Sequence, residues 1–164
     1  VRCFTECLES GVVCPDHPDQ RRSRRIEPEG SCMKRSPILI ELSREHHTAL
    51  VLALRIARAH DPAAQAVLLA AVPAIFRDEL EPHFQDEEQG ILPQLATAGE
   101  LALVGRTLEE HRQMRDLVAK IGAGDLLSLK PFGVMLKAHV QFEERELFAT
   151  AQAVLPAAYL DQHV

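Results

Sequence analysis

The chain has 164 residues, enough for one domain with a substantial core. Its formal net charge of −6 excludes the basic face that nucleic-acid binding requires, and no apolar run reaches the ~20 residues that span a bilayer. We therefore expect neither a nucleic-acid nor a membrane partner. The start of the sequence lacks the apolar segment of a signal peptide, so a cytoplasmic location is the default expectation.

Residues 1–35 are predicted to form an arm of low order. They contain all four cysteines, a cluster of arginines and no hydrophobic periodicity. Three of these cysteines, together with His17, could act as zinc ligands. Their spacing matches none of the common Cys-x-x-Cys pairs, so the disordered arm is preferred. Met33, where a helical pattern begins, is a candidate for the natural start.

The rest of the chain, residues 36–164, is predicted to be all-α. Its apolar residues are mainly aliphatic, with six Phe, one Tyr and no Trp, which favours packed helices over sheets. Ser36-Pro37 places a capping residue before a proline, the preferred start of a helix. This first helix can continue to Asp61-Pro62, which repeats the same signal for a second helix.

The second helix is expected to reach about Pro93, with a kink or restart at Pro73. A third helix is predicted over residues 100–121. The sequence Gly-Ala-Gly-Asp at 122–125 then ends it and caps a fourth helix over 126–154. Four long helices with short connections are typical of an up-down-up-down four-helix bundle.

Two of these helices carry a histidine followed four residues later by a glutamate. The motifs are His83-Phe-Gln-Asp-Glu87 and His139-Val-Gln-Phe-Glu143. Four residues correspond to ~400° of helical rotation, so each His and its Glu share one face. An imidazole and a carboxylate on one face are half of a metal clamp. The repeat therefore predicts a metal site between helices.

Histidines on the other two helices complete this set. His46 is surrounded by apolar positions on the first helix and should point at the core, whereas His47, ~100° further round, is the weaker alternative. His111 lies on the third helix. If the four histidines share one layer of an antiparallel bundle, loops should fall near residues 64, 97 and 125. Turn signals occur within four residues of each position.

A lone core histidine is usually a packing residue, and a nearby glutamate is usually solvated. Burying four imidazoles and two carboxylates together would, however, be very costly without a cation. Imidazole and carboxylate ligands without thiolate suit iron, manganese or zinc. Six ligands are too many for one tetrahedral zinc and suit two adjacent ions with bridging carboxylates. The ferritin-like Glu-x-x-His plan is absent, because the residues three before the histidines are Ser43, Leu80, Leu108 and Leu136.

Four motifs occur in order along residues 36 to about 155: Leu42-Ser-Arg-Glu-His46-His47, His83 to Glu88, Leu108-Glu-Glu-His111, and His139 to Glu144. In these motifs the chain resembles hemerythrin-like (HHE cation-binding) domains. The resemblance implies a non-haem di-iron centre, with two irons bridged by oxygen and by the glutamates. The ligands that it implies are His46, His83, Glu87, His111, His139 and Glu143.

The chain departs from oxygen-carrying hemerythrins at two positions. Those proteins place a fifth histidine where this chain has Arg115, and a carboxylate five residues after the last histidine, here Glu144. Helix rotation favours Glu143 as the ligand, although a distorted turn could admit Glu144. The missing histidine leaves a coordination position open. We expect Arg115 itself to be solvated.

Two classes of function are compatible with such a site. The first is a protein that binds or senses a small ligand, O₂ or NO, or a redox state, and it is favoured because no second acid–base cluster or phosphate loop is present. The alternative is a di-iron enzyme acting on peroxide or iron, or an iron donor in cluster repair. A purely structural zinc bundle ranks below both.

Overall fold

The structure, a computed structural model, describes residues 35–161. Every regular element in that range is helical, as predicted, and none of its helices is long and apolar enough to cross a membrane. The cysteines, His17 and Met33 of the predicted arm lie outside the described residues.

The first helix, α1 (Pro37–Arg58), begins at the predicted Ser36-Pro37 signal. Ser36 is the N-cap residue, as predicted, although its hydroxyl forms no capping hydrogen bond; its backbone N–H donates to the Gln152 side-chain oxygen at 2.9 Å. Helix α2 (Pro62–Ile75) is capped as predicted, because Asp61 accepts the Ala64 N–H at 2.8 Å.

The second predicted helix is divided into several elements. A π-helical turn (Phe76–Leu80), α3 (Glu81–Gln89) and α4 (Ile91–Thr97) follow α2, so the irregularity lies after Pro73 and not at it. The position of the irregularity is explained by Pro82. A proline ring clashes with the carbonyl four residues earlier, here that of Asp78, which lies in the π-helical turn. The helix that was expected to reach about Pro93 is interrupted at Gly90, where a Cβ would lie 2.7 Å from the Asp86 carbonyl oxygen.

The remaining boundaries lie close to their predicted positions. Helix α5 (Leu101–Gly122) is followed by a 3₁₀ turn (Leu126–Ser128), α6 (Leu129–Phe142), a second π-helical turn (Glu143–Leu147) and α7 (Phe148–Val154). The chain does not end in a loose tail after Pro156 as expected. It forms a short helix, α8 (Ala157–Leu160), whose last residue is buried.

The core consists of two apolar clusters with a polar layer between them along each helix. One cluster centres on Leu52, Phe84 and Phe132, and the other on Leu39 and Phe148. In each helical segment, the sequence passes from one cluster to the other across buried histidine or glutamate residues. We call these six residues the polar layer: His46, His83, Glu87, His111, His139 and Glu143.

Helices α1 and α6 approach closely at Gly133, which gives a test of the packing. A Cβ there would lie 2.7 Å from Ile56 Cγ2 and 3.0 Å from Ile56 Cβ. We expect Gly133→Ala to lower the free energy of unfolding, because overpacking of about 1–3 kcal/mol exceeds the ~1 kcal/mol that alanine gains over glycine in a helix. In Gly105→Ala, the control, no atom lies within 4 Å, so urea denaturation should show higher stability. Equal stabilities of the two variants would contradict the packing.

Candidate metal centre

The structure brings all six residues of the polar layer together in the core. None of their side chains is more than 4% exposed. His46 comes from α1, His83 and Glu87 from α3, His111 from α5, His139 from α6, and Glu143 from the start of the second π-helical turn. Six ionisable side chains without solvent require compensation from one another or from a bound ion.

The four imidazoles form two pairs that face each other through their Nε2 atoms. The His46 and His83 Nε2 atoms lie 3.2 Å apart, and those of His111 and His139 lie 3.1 Å apart. In each pair the rings are nearly perpendicular, at 77° and 71°. Four nitrogen atoms therefore converge from four helices.

The two glutamates lie between these histidine pairs. Glu143 places Oε2 3.1 Å from His46 Nε2 and Oε1 3.0 Å from His139 Nε2. Glu87 places Oε1 3.6 Å from His83 Nε2 and Oε2 3.4 Å from His111 Nε2. Each carboxylate thus offers one oxygen atom to each pair, which is the arrangement of a bridging ligand.

The outer nitrogen of every histidine contacts a further glutamate. The Nδ1 to carboxylate distances are 2.7 Å for His46 and His83 and 2.8 Å for His111 and His139. A carboxylate at this position accepts an N–H, so Nδ1 carries a proton and Nε2, which faces the interior, is the nitrogen available to a cation. We call the four partners the outer carboxylates; in the order of the histidines they are Glu144, Glu45, Glu88 and Glu110.

The glutamates of the site favour a positive charge on three of its histidines. Burial would lower the pKa of His139, but Glu143 and Glu110 outweigh it and raise that pKa to about 9. The pKa of His46 and that of His111 rise for the same kind of reason. Burial, and then the Glu143 charge, raise the pKa of Glu87, whereas for Glu143 the neighbouring histidines overcome burial and lower it.

These donors fit a metal cation. All four side-chain oxygens of Glu87 and Glu143 are buried without a hydrogen-bond partner, and the Nε2 atoms of the four histidines face inward beside them. Two nitrogens bound to one ion at about 2.0–2.1 Å would lie about 3 Å apart, close to the separations observed. The ligand atoms form two groups, each within 4.8 Å. They are His46, His83, Glu87 and Glu143, and Glu87, His111, His139 and Glu143.

Residues 38–151 match the family model of the hemerythrin HHE cation-binding domain. The chain belongs to the hemerythrin HHE family. No curated protein and no solved structure matches it. The matched segment contains all six residues of the polar layer, so the part of this HHE domain that defines the family also carries the cluster of potential metal ligands.

Two pairs of adjacent candidate ligands are placed differently in the structure of this HHE domain. His46 is buried in the polar layer, whereas His47 is exposed. Glu143 lies between the histidine pairs, whereas Glu144 bonds the outer nitrogen of His46. The π-helical turn that begins at Glu143 lets these adjacent glutamates serve different partners.

Arg115, at the position of the fifth histidine of oxygen-carrying hemerythrins, is not the solvated side chain expected from the sequence. Its guanidinium donates to both carboxylate oxygens of Glu81 at 2.9 Å and to Glu88 at 2.8 Å. Arg115 therefore reaches the polar layer only through Glu88, which in turn accepts from His111.

Sequence analysis did not assign the outer carboxylates this role: Glu144 was considered only as an alternative to Glu143 as a metal ligand, and the other three were given no role. Each of the four is the immediate sequence neighbour of a polar-layer residue, as in Glu45-His46 and Glu87-Glu88. That adjacency alone does not identify them, because His47 and Arg112 also neighbour polar-layer histidines and are exposed.

The two adjacent histidines of α1 provide a direct test of the assignment. We expect His46→Ala to remove most of the bound metal, because one of the two nitrogens in its group is lost. His47→Ala should retain nearly all of it, since His47 is exposed. Metal content per chain, measured by elemental analysis, distinguishes the two. A greater loss in His47→Ala would show that the wrong histidine has been assigned to the core.

Proposed function

We propose that this HHE domain binds two iron ions, and that the centre binds or senses a small ligand, O₂ or NO, or reports a redox state. The observation that carries the proposal is the sharing of Glu87 and Glu143 by both groups of ligand atoms. Each shared carboxylate offers its two oxygens to opposite histidine pairs, so two neighbouring ions would be bridged. The proposed ligands are His46, His83, Glu87, His111, His139 and Glu143.

The arrangement of the helices supports an up-down-up-down bundle over residues 36–164, which is part of the proposal. Short connections separate α1 from α2, α4 from α5, and α5 from the segment that leads into α6. Helix α6 packs against α1 and α5, and α2 packs against α5. The order of the two apolar clusters along the chain reverses from each helical segment to the next, as antiparallel neighbours require.

The donor types favour iron. Each group supplies two imidazole nitrogens and two carboxylates and no sulfur, a set that suits iron and would also suit manganese or zinc. Two histidines per ion leave coordination positions that the protein does not fill. Bound iron would supply redox chemistry and an open position for a diatomic molecule.

The surroundings of the site favour a very small ligand over an organic substrate. The polar layer is buried, and Phe84 stacks on His111 with ring centroids 3.8 Å apart. Phe148 covers His46 in the same manner at 5.4 Å. These rings limit access of water and fix the planes of two imidazoles. A surface cavity of about 340 Å³ is lined by Glu45 and by His83, the one polar-layer residue that borders it.

A second candidate function is an enzyme that consumes peroxide or oxidises iron. It is favoured by the equality of the two groups, each of which holds two histidines and two shared glutamates. With Arg115 in place of a fifth histidine, neither ion would be more fully ligated by the protein than the other. Both would then be open to a reactant.

Spectroscopy of protein from iron-replete cells tests the proposal. We expect about two irons per chain, and absorption bands that appear with O₂ or NO and disappear when the gas is removed. Rapid, irreversible oxidation with turnover of peroxide would favour the enzyme. Protein without bound metal would contradict both functions.

A further inference from the structure

The outer carboxylates connect neighbouring helices in a closed ring. Each accepts the Nδ1–H of a histidine that lies on the next helical segment along the chain, and the last segment returns to the first. The four bonds join Glu45 to His83, Glu88 to His111, Glu110 to His139 and Glu144 to His46.

We propose that the outer carboxylates are positioning residues of the metal centre. Each would hold one imidazole with a proton on Nδ1 and with Nε2 directed inward, so that Nε2 is the atom offered to an ion. Hydrogen-bond partners of this kind fix the tautomer and the ring plane of histidine ligands. The inference rests on the proposed metal-binding function, but it concerns residues that contact no metal.

Three of the four outer carboxylates also accept a hydrogen bond from an arginine. Arg115 donates to Glu88 at 2.8 Å, Arg106 donates to Glu110 at 2.7 Å, and Arg35 donates to Glu144. Each of these carboxylates therefore has two partners, a histidine on the inside and an arginine on the outside. A carboxylate with two partners has less freedom to release its histidine.

Glu45 is the exception. Within residues 35–161 its one hydrogen bond is to His83, and no arginine pairs with it. Its side chain is 48% exposed, compared with 20–30% for the other three. Cavities of about 290 and 340 Å³ lie on either side of it. Of the four outer carboxylates, Glu45 is therefore the one that restrains its histidine least.

Adjacent glutamates on α5 provide a matched comparison. Glu110 bonds His139, whereas Glu109 is exposed and, among the described residues, its side chain bonds only Arg112 and Gln113 of its own helix. If the outer carboxylates position the histidines, replacing Glu110 should weaken metal binding and replacing Glu109 should not, although both are acidic residues in the same turn.

The test measures zinc affinity of the full chain by competition with a chelator. We expect Glu110→Ala to weaken affinity about 10–100-fold, the usual effect of removing such a partner. Glu110→Gln should recover most of the loss, because its amide oxygen can accept the same Nδ1–H, and Glu109→Ala should equal the wild type. Glu45→Ala should show the smallest loss among alanine variants of the outer carboxylates.

Nitrogen NMR of the histidine side chains shows which ring nitrogen carries the proton. This property would not change if Glu110 only stabilised the fold. The zinc-loaded wild type should carry the His139 proton on Nδ1, and Glu110→Ala should show a mixture of ring states. Glu110→Ala binding as tightly as Glu109→Ala, or Glu110→Gln failing as badly as Glu110→Ala, would overturn the positioning role alone. A wild type that binds neither zinc nor iron would overturn the proposed function and this inference together.

Discussion

Replacing His139 with alanine is expected to abolish iron binding while the helical content stays nearly unchanged. His139 Nε2 lies 3.1 Å from His111 Nε2 and 3.0 Å from Glu143 Oε1, so it supplies one of only two nitrogens in its group. Removing an outer partner of a ligand typically costs 10–100-fold in affinity, and removing the ligand itself should cost more. The two apolar clusters, which lie on either side of the layer along each helix, remain intact.

Elemental analysis measures the iron bound per chain, and far-ultraviolet circular dichroism measures the helical content. Gln141→Ala is a suitable control, because Gln141 lies in the same helix two residues away and is exposed. We expect it to bind iron as the wild type does. If His139→Ala kept its full complement of iron, His139 could not be a ligand.

Removal of metal by a chelator is expected to lower the melting temperature substantially. Without cations, Glu87 and Glu143 are buried between four histidines with no hydrogen-bond partner for their oxygens. A ligand present at a thousand times its Kd stabilises a protein by about 4 kcal/mol per site. At roughly 4 °C per kcal/mol for a domain of this size, the loss of even one ion should lower Tm by about 15 °C.

The chelator experiment has an internal control in the His139→Ala variant. That variant should melt at the same temperature with and without chelator, because it holds no metal to lose. Differential scanning calorimetry on both proteins gives the comparison. A wild type that melts within a degree of the same temperature under both conditions would mean that no cation stabilises the polar layer.

The helices and the buried histidines could be predicted from sequence because they depend on local spacing. A histidine four residues before a glutamate shares its face in any regular helix, so the placement of His83 with Glu87 required only the helical repeat. His46 was distinguished from His47 by its apolar neighbours on the same face. Loop positions followed from capping residues such as Asp61 and from glycine, as at Gly99 and Gly124, whose φ values are +97° and +91°.

The irregular turns could not be located in the same way. A hydrophobic pattern with a period of 3.6 residues does not show where a helix widens, so neither π-helical turn was anticipated. The interruption was predicted at Pro73, but the ring of Pro82 clashes with a carbonyl four residues earlier, and the distortion therefore lies just upstream of Pro82. The break lies at Gly90 and not at Pro93, and glycine is needed there because a Cβ would lie 2.7 Å from the Asp86 carbonyl oxygen.

The outer carboxylates depend on contacts between helices, which spacing within one helix does not reveal. Glu110 has an ordinary neighbour in sequence, His111, but its partner is His139 on α6, 29 residues away. Arg115 likewise seemed solvated until Glu81 and Glu88 were placed beside it. Such residues become apparent only when the rotation of each helix relative to the next is known.

The most direct measurement is the number of transition-metal ions bound per chain in protein purified from iron-replete cells. Two shared carboxylates and two pairs of histidines predict about two irons, with coloured protein in the oxidised state. Protein that contains no transition metal under those conditions, or a single ion that both Glu87→Ala and Glu143→Ala leave in place, would contradict a centre bridged by these glutamates.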